Sequence, residues 1–199
     1  AEFIRENLAI QTNVIHEAWL AGVEKLLFLG SSCIYPKHAP QPMREEHLLS
    51  DLLELSNRPY ALAKISGIEL CWSYNRQHST RYLAVMPCNL FGPGDNYDLQ
   101  NSHVLPALIR KAHTAKSNGD SEIIVWGTGQ PKREWLFVDD LADACIFLLS
   151  QPVPTMKYLF NDQHPPLINI GSGAECSIQQ LAEIVCEIVG FQGKLIFDP

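Results

Sequence analysis

The 199 residues are 46% hydrophobic and 19% charged, an ordinary balance for a globular chain with a sizeable core. A formal net charge of −7 argues against a general binder of nucleic acid or membrane surface, and no apolar run reaches the length that crosses a bilayer. The six cysteines, Cys33, Cys71, Cys88, Cys145, Cys176 and Cys186, form no Cys-x-x-Cys pair and suit no zinc site. With no basic and apolar leader at the start, they are expected to be reduced thiols of a cytoplasmic protein without a metal.

Taken in chain order, Leu8, Ile10, Val14, Ile15, Ala18 and Trp19 recur at helical spacing and predict a helix over 7–21, stopped by Gly22. Val23 to Leu29 reads as a buried parallel strand that runs into Gly30-Ser31-Ser32-Cys33. In open α/β sheets, ligands bind at such carboxyl ends. A proline-broken, acidic loop follows from Pro36 to Pro59. Tyr60 to Gln77 reads as a long helix, with Tyr60 and Lys64 four apart on one face. A phenol beside an ammonium is a proton donor or acceptor, and the ammonium is expected to lower the phenol pKa. A serine at the strand end could hold a carbonyl toward that phenol.

Arg81 to Met86 is the next predicted strand, ending in the turn-like Pro87-Cys88-Asn89-Leu90-Phe91-Gly92-Pro93-Gly94. Val104 to His113 is a predicted helix, with Asn101 or Ser102 as its cap and His103 at its N-terminus. A turn over 117–121, a strand over 122–126, a cationic loop over 127–133 and an extended segment over 134–138 come next. Asp139 to Ser150 reads as a helix with an acidic first turn. Residues 152–166 read as exposed loop and Leu167 to Ile170 as a strand. Ser177 caps a helix over 178–189, and Leu195 to Phe197 begins another strand.

The strings Gly30-Ser31-Ser32-Cys33-Ile34-Tyr35-Pro36, Pro59-Tyr60-Ala61-Leu62-Ala63-Lys64 and Asn101-Ser102-His103-Val104-Leu105-Pro106 resemble the extended short-chain dehydrogenase/reductase family of nucleotide-sugar enzymes. The resemblance runs from about Asn7 to Phe197. It is closest to members that epimerise GDP-4-keto-6-deoxy-D-mannose at two carbons and then reduce its ketone with NADPH. It implies a partial Rossmann-like, doubly wound parallel sheet without its first strands, and a smaller α/β region. On this reading residues 1–91 and 135–172 form the NADP-binding part. Residues 92–134 and 173–199 bind the GDP-sugar, truncated at the C-terminus. A homodimer is implied as well.

The resemblance assigns Tyr60 as proton donor, Lys64 as its partner and Ser31, four residues before Tyr35, as the carbonyl holder. Cys33 and His103 become the two acid/base groups that epimerisation needs on opposite faces of the sugar. Cofactor contacts are implied for Leu29, Gly30, Ser31, Ser32, Lys64, Pro87, Cys88, Asn89, Leu90 and His103. Lys111, Arg133 and Lys194 are implied to meet the substrate diphosphate, with Trp126 as an aromatic wall. The glycine-rich pyrophosphate turn of a dinucleotide-binding domain is not found. Two alternatives stay open: another nucleotide-sugar epimerase or dehydratase of the family, and a non-catalytic fragment lacking that turn.

Overall fold

Helices and strands alternate along the computed structural model, which describes residues 1–199 and every side chain but that of Val153. The order is α1 (Glu2–Leu20), β1 (Lys25–Leu29), α2 (Arg58–His78), β2 (Arg81–Pro87), β3 (Asn89–Phe91), α3 (Val104–Asn118) and β4 (Glu122–Trp126). It continues with β5 (Lys132–Phe137), α4 (Val138–Ser150), α5 (Val153–Met156), β6 (Leu167–Ile170), β7 (Glu175–Ser177), α6 (Ile178–Val189) and β8 (Lys194–Asp198). The chain divides into two units, Ala1–Cys88 with Asp139–Ile170, and Asn89–Val138 with Gly171–Pro199.

In the first unit β1, β2 and β6 form a parallel sheet in the order β1-β2-β6. The side chains of β2 divide with period 2. Tyr82, Ala84 and Met86 join the clusters beneath α1 and α2, whereas Leu83 and Val85 pack with Cys145, Leu148 and Met156 from α4 and α5. Both faces are covered, so β2 reads as a continuous apolar run, as a doubly wound parallel sheet requires. Gly67 lets α2 approach closely: a Cβ there would lie 2.3 Å from the Phe28 ring of β1. Gln11 of α1 donates to the Ala63 carbonyl of α2 at 2.6 Å, which satisfies a buried amide and fixes the register of the two helices.

In the second unit β3 and β5 are parallel, β7 runs antiparallel to β5, and β4 pairs with β8 in parallel. Ile123 and Val125 of β4 face a core built from α3 and α6, including Leu108, Ala112, Leu181 and Val185. Ser177 and Gln180 form a reciprocal capping box at the start of α6, as the sequence predicts for Ser177.

The α/β class expected from the sequence is present. Several boundaries differ. Helix α1 begins at Glu2 rather than Asn7, and Phe3 in that extension packs its ring 5.5 Å from that of Tyr60. Helix α3 continues through Asn118, because Ala115 is buried and Gly119, at φ +74, supplies the left-handed stop. Its N-cap is His103, with no side-chain capping bond. The Asn101 amide is spent on Asp98, and Ser102 Oγ is buried without a hydrogen-bond partner. Strand β3 falls where a turn was expected and β7 where no element was assigned, each of three residues and each paired to β5. The segment over 152–166 is not a plain exposed loop: it contains α5, and Met156 and Pro166 are buried. Among the described residues no helix is long and apolar enough to cross a membrane.

Candidate functional site

The carboxyl end of β1 delivers Leu29, Gly30 and Ser31 to the start of a 3-10 turn, Ser32–Ile34. Gly30 donates its N–H to the Val85 carbonyl at 2.7 Å, and a Cβ at this position would meet that oxygen at 3.1 Å. The turn presents Cys33, whose thiol donates to Ser31 Oγ at 3.3 Å. Helix α2 supplies the other half. Its first turn contains Pro59, a residue suited to a helix start, and it places Tyr60 and Lys64 on one face. Lys64 Nζ donates to the Leu29 carbonyl at 2.8 Å, and Ser31 lies close enough to the Tyr60 hydroxyl to favour its ionised form. Ser31, Cys33, Tyr60 and Lys64 are thereby brought together within the first unit.

Charge is expensive in this half-buried cluster. Burial pushes the Cys33 thiol above its ordinary value, and the Ser31 hydrogen bond, a backbone hydrogen bond and the Lys64 charge oppose that rise. Burial also lowers the pKa of Lys64, with the Cys33 charge acting the other way. The expectation that Lys64 lowers the Tyr60 pKa is not met. Burial, followed by the Cys33 charge, raises it, and Ser31 only partly opposes. The physical reason is placement: the ammonium is held on the Leu29 carbonyl, 5.6 Å from the Tyr60 ring centroid. Tyr60 therefore carries its proton at neutral pH.

The remaining residues expected around a cofactor divide between the units. Ser32 lies in the 3-10 turn, Pro87 ends β2, and Cys88 continues the ladder with its N–H on the Ile170 carbonyl at 3.0 Å. Asn89 and Leu90 belong to β3 in the second unit, where the Asn89 amide donates to the Glu134 carbonyl at 3.0 Å. His103 is exposed at the head of α3 in the same unit.

Of the four residues expected to meet a diphosphate-bearing substrate, two are brought together. Lys111 Nζ donates to the Ile124 carbonyl at 2.8 Å and lies 4.6 Å from the centroid of Trp126, whose ring is 70% exposed. Burial lowers the Lys111 pKa. Arg133 turns one guanidinium N–H back onto the Lys132 carbonyl at 2.7 Å. Lys194 is set apart from Trp126: the register pairs it with Glu122, while Trp126 pairs with Asp198 at the other end of the strands. Four residue steps separate the two ends, roughly 13 Å.

Two residues that sequence reasoning passed over touch the cluster. The Phe28 ring lies 5.2 Å from Lys64 Nζ, and Phe3 packs on Tyr60. For Phe28 a signal existed, since strand alternation puts it on the α2 side of β1, opposite Gly67. For Phe3 there was none, because its contact depends on how α1 docks on α2. Among the described residues no group of His, Cys, Asp and Glu could hold a metal ion.

Comparison with known proteins places these residues in context. Residues 1–171 match the NAD dependent epimerase/dehydratase family. The chain is 56% identical over 200 residues to GDP-L-fucose synthase 1 of Arabidopsis thaliana, covering 100% of this chain and 58% of that protein. It is 50% identical over 200 residues to GDP-L-fucose synthase of Escherichia coli K12, covering 100% of this chain and 61% of the relative. Among solved structures, a GDP-D-glycero-L-gluco-heptose synthase from Campylobacter jejuni, determined in the presence of NADPH, superposes with a TM-score of 0.92 at 37% identity. That match covers 100% of this chain and 67% of the other. The chain thus spans about three fifths of the length of these two curated relatives.

Proposed function

The chain belongs to the NAD dependent epimerase/dehydratase family, and from that premise we propose that it carries the catalytic groups of a GDP-L-fucose-forming epimerase and reductase. The proposed substrate is GDP-4-keto-6-deoxy-D-mannose and the proposed cofactor NADPH. The observation that carries this reading is the single cluster of Ser31, Cys33, Tyr60 and Lys64 at the carboxyl end of a parallel strand. A phenol and lysine alone suit any reductase of this kind. The thiol sharing the serine adds a group able to move a proton on carbon.

The residues present fit the nicotinamide end of a dinucleotide. Lys64 has three N–H donors and spends one on the Leu29 carbonyl, leaving two for a ribose diol. Leu29, at 46% exposure, offers an apolar lip beside Gly30, where the strand end is open. Pro87 and Cys88 at the end of β2, and Asn89 and Leu90 in β3, are further proposed contacts. When bound, the reduced nicotinamide supplies hydride to the ketone carbon. Tyr60 gives its phenolic proton to the sugar oxygen, and Ser31 Oγ holds that oxygen. Lys64 offsets the negative charge that the departing proton leaves. Cys33 takes the proton from carbon adjacent to the ketone, and His103 supplies one on the opposite face. Lys111, Trp126 and Arg133 are the proposed diphosphate and nucleoside contacts in the second unit. Lys194, at the other end of the strands from Trp126, is a further proposed contact of the diphosphate. Residues 1–91 with 135–172 are the proposed NADP-binding part, and 92–134 with 173–199 the GDP-sugar part. A cytoplasmic homodimer with neither nucleic acid nor membrane as partner completes the reading.

The test follows proton and hydride separately in the complete protein with GDP-4-keto-6-deoxy-D-mannose and NADPH in deuterated water. Tyr60→Phe should cut reduction by about 10²- to 10⁴-fold and spare deuterium entry into the sugar. Cys33→Ser and His103→Gln should abolish that entry. Wild-type exchange in both variants would remove the epimerase assignment. A second reading is favoured by the 37% identical Campylobacter structure: the same groups acting on a GDP-linked heptose. Product analysis by NMR with both sugars decides between them. Calorimetric titration with NADPH and with GDP tests the non-catalytic alternative.

A further inference from the structure

Strand β6 is the outer strand of the sheet β1-β2-β6, and Asn169 lies near its carboxyl end. This residue uses three polar groups on segments far from it in sequence. Its Oδ1 accepts from the Tyr35 hydroxyl at 2.5 Å, and its Nδ2 donates to the Met43 carbonyl at 3.2 Å. Its backbone N–H donates to Glu45 Oε1 at 2.8 Å. Tyr35 is 3% exposed and stands two residues beyond Cys33, where the 3-10 turn ends. Its neighbour Ile34 is fully buried, and both pack with Ile65, Ile68, Met86 and Leu167.

A single 3-10 turn has poor internal hydrogen-bond geometry and does not hold its own position. Apolar packing behind Ile34 excludes water but is not directional. The bond from Tyr35 to Asn169 supplies the direction. The bond from Cys33 to Ser31, at 3.3 Å, is a weak thiol contact that cannot hold the turn by itself. We propose that Asn169 is a positioning residue for the thiol: through Tyr35 it fixes the turn that sets Cys33 against Ser31, and through Met43 and Glu45 it fastens the following loop over that turn. The catalytic meaning rests on the proposed role of Cys33, but the positioning claim concerns the thiol alone.

The experiment reads thiol reactivity rather than turnover, in the full chain. Iodoacetamide labelling is followed residue by residue by peptide mass mapping between pH 7 and 10, for wild type, Tyr35→Phe and Asn169→Leu. The buried thiols Cys71 and Cys186 serve as internal controls. In both variants Cys33 should react about 3- to 10-fold faster at pH 8, with its half-maximal pH moved down by half a unit to one unit, because the burial that is relaxed outweighs the Ser31 bond that is loosened. Cys71 and Cys186 should keep their wild-type rates. An unchanged Cys33 profile in Tyr35→Phe overturns the proposal. So does acceleration of Cys33 only in step with Cys71 and Cys186, which marks general opening. If Cys33 responds as expected while wild type shows no deuterium exchange into the sugar, the positioning role stands and the enzymatic reading falls.

Discussion

Cys33 is held between opposing influences. Burial disfavours its thiolate, while the Ser31 hydroxyl and, more weakly, the Lys64 charge favour it. Removing either support should raise the pH at which Cys33 is half alkylated. Ser31→Ala should move it further than Lys64→Met, because a direct hydrogen bond to the anion outweighs a charge held on another acceptor. Mass mapping of the two variants measures the order, and the reverse order would mean that the ammonium rather than the hydroxyl stabilises the thiolate. The proton-donor role proposed for Tyr60 has a related basis. Its raised pKa keeps the proton in place until a developing alkoxide, more basic than the phenolate, draws it away.

Between elements, close approach decides what the chain tolerates. Gly67→Ala would ordinarily stabilise a helix interior by up to about 1 kcal/mol. Here the new methyl meets the Phe28 ring at 2.3 Å, so the variant should instead lose about 1–3 kcal/mol in urea unfolding. Combining it with Phe28→Leu should recover part of that loss, since the two positions touch. At α6 the geometry is local. Ser177→Ala should cost about 1 kcal/mol. It should also speed amide exchange at Gln180, whose N–H the serine oxygen accepts at 3.1 Å. An unchanged exchange rate there would show that the box contributes nothing to that end of the helix.

For the whole molecule, the buried thiols tie stability to pH. The Cys71 thiol, fully buried between α1, α2 and β2, is pushed up to about 12 by burial. Because the folded value lies above the unfolded one, its contribution is complete below about pH 8.5 and is lost as pH rises toward the folded value. Urea midpoints should therefore fall between pH 9 and about 11, and Cys71→Ala should flatten that fall even if its midpoint at pH 7 is lower. Burial raises the pKa of Tyr82 and Tyr35 in the same direction, whereas it lowers that of Lys64 and Lys111, so only the difference between wild type and variant isolates Cys71.

Helices α2 and α6 and strands β1, β2, β4 and β6 were legible from local signals: the apolar runs of the strands, the four-residue step from Tyr60 to Lys64, and the cap at Ser177. The meeting of a strand-end serine with Tyr60 was suggested by residue chemistry and assigned to Ser31 through the resemblance, since no local period links a strand end to a helix thirty residues later. Strands β3 and β7 were not legible, because three residues carry no period and exist as strands only when β5 is beside them. Tertiary structure alone decided that Lys64 donates a hydrogen bond to the Leu29 carbonyl rather than standing against the phenol. It also decided that Lys194 lies at the far end of the strands from Trp126, and that Asn169 ties Tyr35 to Met43 and Glu45. Sequence spacing specifies which side chains share a face. Hydrogen bonds that span 35 to 134 residues depend on how faces dock, and docking is set by packing that no single segment contains.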